Sequence, residues 1–284
     1  MNKLNWMINR HVLSALCAAP LLLGSVYALA EEAAPAVAAV VAAPAEPAPP
    51  YTLSFNLGLY SNYMFRGVDT ADGPALQGGV DWAHSSGLYL GTWWSNIDPY
   101  WSGKVDGVSG GNNLETDWYG GYAHTFENGL GFNVMGNYYF YPDGERVSGT
   151  NDKIDSFEAS VAVSYKWLTY TYYNMLTDNY GVQHSKGAEY HELKFNYALP
   201  VGDLNLLAKV GYTNTNKNQT GDQGDFAIGL SRNFSMPTSG KPIEGFNAGA
   251  YYTDTFDVQS QAFYSADNRQ LNEKKLTFYV KRSW

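Results

Sequence analysis

Beyond residue 50 the chain alternates apolar and polar positions in successive runs. The final run is typical: Lys274, Leu276, Phe278, Val280, Arg282 and Trp284 fall on one side, and Glu273, Lys275, Thr277, Tyr279, Lys281 and Ser283 on the other. A strand turns successive side chains to opposite faces, so this period gives one apolar and one polar face. The same period sets Phe157, Ala159, Val161, Val163, Tyr165 and Trp167 against Ser156, Glu158, Ser160, Ser164 and Lys166. In the first run Leu53, Phe55, Leu57, Leu59, Tyr63 and Phe65 oppose Ser54, Asn56, Tyr60, Asn62 and Arg66. One run is undecided, because Tyr89 and Trp93 compete with Leu90 and Trp94 for the apolar face.

Twelve such runs can be counted, each near the roughly 9–11 residues a tilted strand needs to cross a bilayer. Their connections alternate in length. Short turns fall at 85–87, 127–129, 167–168 and 200–203, with 236–245 as a longer exception. Polar loops fall at 67–73, 98–113, 142–153, 177–187, 215–224 and 255–271. A soluble sandwich gives no such alternation, whereas a membrane barrel has short turns at one end and long loops at the other. Aromatic residues at run ends, among them Phe65, Trp82, Trp94, Phe126, Phe140, Trp167 and Phe234, suit interfacial girdles. The pattern predicts an all-β fold, a transmembrane antiparallel up-and-down β-barrel of about twelve strands. Phe278, Val280 and Trp284 at the end of the chain resemble the C-terminal insertion signal of bacterial outer-membrane proteins.

The front of the chain changes the picture only in location. Lys3 and Arg10, an apolar stretch over 12–29 and Ala28-Leu29-Ala30 read as a cleaved signal peptide, 1–30. Residues 31–50 are nearly all Ala, Pro, Val and Glu, a composition that builds no core and reads as a disordered linker before a barrel over 51–284. Cys17 is the only cysteine and lies in the leader, which excludes thiol chemistry and disulfides from a mature chain. Losing Lys3 and Arg10 moves the formal net charge from −9 to −11, and no long basic run exists to hold nucleic acid.

Assigning the polar face to the lumen gives the acids Asp81, Glu115, Asp117, Glu158, Glu192, Asp225 and Glu273 and the bases Arg66, Lys166, Lys194, Lys209, Lys275 and Lys281. Charge rings set ion selectivity in pores, but this near balance sets none. Tyr60, Tyr119, Tyr139, Tyr141, Tyr173, Tyr190, Tyr251 and Tyr279 also face inward, and either contact a solute or fill a narrow lumen. Arg66 is the leading single candidate, inward near the outer mouth at the depth of Glu115 and Asp117. It either clamps an anionic solute or braces the wall. Catalysis has weak support: His84 with Ser85 and Ser86, His124 with Thr125, and His184 with Ser185 are the only neighbours for a lipid hydrolase. Acidic loops at 143–145 and 222–225 match no calcium-loop pattern, so no metal or cofactor is expected.

Several segments carry a family resemblance: Ser61-Asn62-Tyr63-Met64-Phe65-Arg66-Gly67, then Pro74-Ala75-Leu76-Gln77-Gly78 and Ser86-Gly87-Leu88-Tyr89-Leu90-Gly91-Thr92-Trp93-Trp94-Ser95-Asn96, and Glu115-Thr116-Asp117-Trp118-Tyr119-Gly120-Gly121-Tyr122. Over about residues 55–125 the chain resembles the TorF-type porins, a bacterial outer-membrane family long carried as conserved hypotheticals. The resemblance implies an outer-membrane channel and brings no established substrate. The expectation is a monomeric porin-like channel passing small hydrophilic solutes, lodged in outer-membrane lipid by periplasmic chaperones and the barrel-insertion machinery. A plugged or closed barrel that displays its outer loops stays open as the alternative. Deleting Trp284 should impair membrane assembly and leave secretion intact; unchanged heat-shifted mobility of the barrel on gels would overturn this.

Overall fold

The computed structural model describes residues 49–98, 113–142, 153–180, 184–215, 221–258 and 269–284. Residues 1–30, expected to be a leader, and most of the Ala/Pro-rich segment lie outside them. In chain order the strands are β1 (Tyr51–Tyr60), the two-residue β2 (Met64–Phe65) and β3 (Val68–Asp69), β4 (Ala75–His84), β5 (Leu88–Asn96), β6 (Leu114–Thr125) and β7 (Leu130–Phe140). They continue with β8 (Ser156–Tyr165), β9 (Leu168–Met175), β10 (Glu189–Ala198), β11 (Leu204–Asn214), β12 (Gln223–Met236), β13 (Ile243–Phe256) and β14 (Lys275–Ser283). Among the described residues, β1 and β4 to β14 form one closed antiparallel sheet of twelve strands, and β2 pairs only with β3.

The seam lies between β1 and β14. Leu59 faces Val280 and Asn56 faces Ser283, and Phe55 and Trp284 exchange both backbone hydrogen bonds at 2.9 and 3.0 Å. Their rings stack with centroids 6.2 Å apart. The last residue thus completes the ladder of the first strand. Closure matters because hydrocarbon offers no partner for a free peptide group.

Alternation sorts the wall as the sequence pattern requires. Leu53, Leu90, Trp118, Val161, Leu193, Ile228 and Phe278 are exposed on the outer wall. Tyr60, Tyr89, Trp93, Tyr119, Tyr139 and Tyr251 are buried inside. The undecided run therefore settles with Tyr89 and Trp93 inward. Leu90 faces outward, and Trp94, on the same side, lies across the outward Gly78.

Four readings of the sequence need correction. The first strand stops at Tyr60; Tyr63, Met64 and Phe65 are buried within the barrel, so Phe65 belongs to no girdle. Lys166 sits exposed in the turn between β8 and β9 at φ 55°, over the rings of Tyr165 and Trp167, and lines no lumen. Strict alternation placed it inward, but β8 ends at Tyr165 and Lys166 already opens the turn. Glu273 is exposed and precedes β14. The long turn at 236–245 shrinks, because β12 and β13 extend to Met236 and Ile243 past an irregularity between Phe234 and Met236.

Val161 lies mid-strand on the outer wall, opposite Val134 and Tyr172. Replacing it with arginine should destabilise the barrel by about 2–4 kcal/mol in lipid vesicles, read by urea unfolding. A neutral effect would put this face of β8 away from lipid.

Candidate functional site

A closed sheet of about eight strands is filled by its own side chains, while about sixteen leave an aqueous channel. Twelve lie between, and here the space is taken by the chain itself. Residues 61–74 leave β1, fold inward as the β2–β3 hairpin and return to β4. Phe65 pairs with Val68, so Arg66 and Gly67 form the two-residue turn, with φ of 47° and 80°. Positive φ at both positions is the type I′ geometry of tight hairpins, and it normally takes asparagine or glycine first. Arginine there costs about 1 kcal/mol of backbone strain, so its side chain must justify the position.

The hairpin touches the wall almost all the way round. Tyr63 packs edge-on against Trp93 of β5, and its hydroxyl donates to Glu115 of β6 at 3.3 Å. Phe65 meets Tyr139 of β7 and Tyr180 of the loop after β9. The tip reaches the far side. Arg66 Nη2 donates to both oxygens of Glu158 on β8, at 2.8 and 2.9 Å. Its guanidinium carbon lies 4.8 Å from the ring centre of Tyr173 on β9 and 4.2 Å from that of Tyr190 on β10. Gln223 of β12 donates to the Arg66 carbonyl at 3.0 Å. A Cβ at Gly67 would lie 2.5 Å from Thr255 of β13, so the turn is pressed against that wall and only glycine fits.

The base of the hairpin is held by charge. Asp69, buried, accepts from Lys275 of β14 at 3.3 Å and lies 3.7 Å from Arg269. Arg269 also pairs with Asp72 at 2.8 Å and with Asp98. Beyond the tip, Lys209 bridges Asp225 at 3.1 Å and Glu192 at 3.7 Å, and Lys194 reaches Glu192 at 3.6 Å. Lys194 and Lys209 are cross-strand partners, a repulsive arrangement unless carboxylates lie between them. The sequence pattern put Arg66 on a wall strand beside Glu115 and Asp117; the structure puts it on the hairpin, opposite them, on Glu158. Glu115 and Asp117 are buried and make no ion pair among the described residues. Asn137 lies 3.5 Å from Asp117. Tyr119 donates to Asp81, and Tyr60 stacks on Tyr279. Lys281 is half-buried on the inner face of β14.

Tyr180, in the loop after β9, is half-buried against Phe65 and Tyr139, and desolvation pushes its hydroxyl well above the usual tyrosine range. It is therefore neutral. Toward the end where β1 begins and β14 finishes, the inner wall changes character. Ser54, Asn56, Asn133, Ser164, Thr169 and Asn196 face inward and remain partly accessible to water. The lumen is thus a polar vestibule on one side and a hairpin-filled section on the other.

The remaining candidates lie elsewhere. His84 Nδ1 is 2.8 Å from Ser86 Oγ, but the backbone N–H of Ser86 also points at that nitrogen, so the contact closes a surface turn. His191 faces outward beside Tyr170 and Glu189. Asp222 accepts from both the backbone and the hydroxyl of Thr215, as a loop staple. The 143–145 loop is outside the described residues. Sequence reasoning missed Tyr63, Phe65, Asp69 and Arg269. The Arg66-Gly67 pair between Phe65 and Val68 was a legible hairpin signal, and a first run reaching residue 66 was too long for one crossing.

A closed antiparallel sheet with an apolar outer wall and a polar interior defines a transmembrane β-barrel. The chain belongs to the family described as "Bacterial protein of unknown function (Gcw_chp)", whose profile matches residues 44–284. No curated protein matches it in sequence. Among solved structures it is similar to a KdgM porin in complex with disordered oligogalacturonate, at 7% identity and a TM-score of 0.45, covering 82% of this chain and 98% of that one. The NanC porin is similar at 10% identity and 0.46, covering 82% and 99%. Acinetobacter baumannii OccAB3 is similar at 10% and 0.37, covering 84% and 65%.

Because Gly67 is pressed on Thr255 and Asp225, Gly67→Val should dislodge the hairpin. A thiol introduced as Met64→Cys, buried in the parent, should then react with a bulky maleimide faster by at least about tenfold. An unchanged rate would mean that the hairpin stays seated.

Proposed function

We propose that this protein is a porin-like channel of the bacterial outer membrane, passing small hydrophilic solutes by passive diffusion past a constriction made by the β2–β3 hairpin. One observation carries the reading. The element that narrows the lumen is not part of the wall: β2 and β3 pair with each other, and the barrel ladder is complete without them. The hairpin is anchored at its tip chiefly by side chains, which can release without opening the sheet. A polar, water-accessible vestibule leads to it. The resemblance of residues 55–125 to TorF-type porins supports the same reading. A cleaved leader, assembly by periplasmic chaperones and the insertion machinery, and a monomeric state complete the proposal.

A second reading has its own support. Tyr63, Met64, Asp69 and Thr70 are all buried, as a permanent plug would be, and a barrel so closed would serve to display its outer loops.

Conductance in planar lipid bilayers separates the two. The refolded protein should give discrete current steps, and Arg66→Ala should raise the open fraction or the step size. Silence from both proteins, when folded by heat-shifted mobility, would overturn the channel in favour of the display barrel.

A further inference from the structure

The recess that receives Arg66 has more chemistry than a latch requires. Glu158 is buried and oriented by the Tyr139 hydroxyl, which donates to Oε2 at 2.9 Å. Tyr173 and Tyr190 turn ring faces to the guanidinium. Tyr190 is itself fixed by a 2.9 Å hydrogen bond to Asp225, and its ring lies over Gly211, diagonally across on β11, where no side chain stands in its way. A Cβ at Gly211 would be 2.1 Å from the Tyr190 hydroxyl. All of these groups belong to the wall, so the recess persists in outline when the hairpin leaves. Only Phe65, the third ring near Arg66, departs with it.

Charge makes the recess demand a cation. With Arg66 in place, Glu158, Glu192 and Asp225 face Arg66, Lys194 and Lys209 and the set is neutral. Without Arg66 one negative charge is uncompensated among the described residues, and burying it so is unfavourable. The surrounding wall deepens this. Strands β1 to β9 contain no lysine or arginine, while Asp81, Glu115, Asp117 and Glu158 point inward from them. The cation that satisfies Glu158 therefore has to come from off the wall. The hairpin supplies it at the expense of a strained φ at Arg66.

We propose that the recess of Glu158, Tyr139, Tyr173 and Tyr190 is a binding site for guanidinium-bearing solutes, and that Arg66 is its tethered occupant. A planar guanidinium donates to the carboxylate in its plane and offers its faces to tyrosine rings; a compact ammonium or a metal ion gains the charge term with much less of the stacking. A solute of this class displaces Arg66, and the hairpin tip is released. The site deepens the channel reading and depends on it only for the route by which solute arrives.

The test is calorimetric titration of the detergent-purified protein with methylguanidinium chloride, with methylammonium and sodium chloride as controls at equal ionic strength. A tethered competitor acts at a high effective concentration, so Arg66→Ala should bind methylguanidinium at least about tenfold more tightly than the unaltered protein. Adding Glu158→Gln should abolish that binding. Equal binding with and without Glu158→Gln, or methylammonium binding as well as methylguanidinium, would overturn the site. Should Arg66→Ala fail to refold, Arg66→Gln carries the same comparison. Calorimetry needs no current: binding by a barrel silent in bilayers would overturn the channel alone, and no binding by a conducting barrel would overturn the site alone.

Discussion

A strand in hydrocarbon has no water to satisfy its peptide groups, and so every strand of the wall must have two neighbours. The seam between β1 and β14 is where that requirement is met or fails. Phe55 and Trp284 exchange both hydrogen bonds there, and their rings cover the junction on the outer side. Once the seam is closed, much else is determined. Alternation commits half of each strand to lipid and half to the lumen, and both ends of the sheet's chain path fall on the same rim. The long connections are then left on the other rim, where the hairpin turns inward.

Closure with twelve strands creates an interior that side chains alone do not fill. Tyrosine rings thicken the wall near the outer rim, and the hairpin takes up the middle. Its tip is positioned by a chain of dependences. Gly67 allows close approach to β12 and β13, that approach places Arg66 under Tyr190, and the Tyr139 hydrogen bond sets the carboxylate that receives it. None of these contacts is a backbone ladder to the wall. The hairpin is thereby held firmly in place and yet remains separable, which is what distinguishes a constriction from a thirteenth strand.

The distribution of charge explains why the constriction contains an arginine. Acids on β4, β6 and β8 have no basic partner on their own half of the wall, and the lysines of β10 and β11 are occupied by Glu192 and Asp225. Counting inward charges around the whole ring hides this, because acids and bases nearly cancel. Sorting them by strand reveals it. The asymmetry was readable from the sequence once strand order was fixed, since a meander places consecutive strands side by side.

The alternation of residues by itself determined the class of fold, the number of strands and most of the inward and outward assignments, because a period of two and the length of a membrane crossing are local properties. Leu53 and Val161 on lipid and Tyr119 and Tyr139 in the lumen follow from it directly. Local pattern failed where the chain stops being a wall strand. Lys166 lies one residue past the end of β8, in the turn itself, and Tyr63 to Arg66 continue the alternation while leaving the sheet. Only the tertiary structure decided that Arg66 meets Glu158 rather than Glu115 or Asp117. That choice depends on how far a hairpin reaches across a closed cylinder and which rings and glycines wait on the far side, distances that no spacing along the chain encodes.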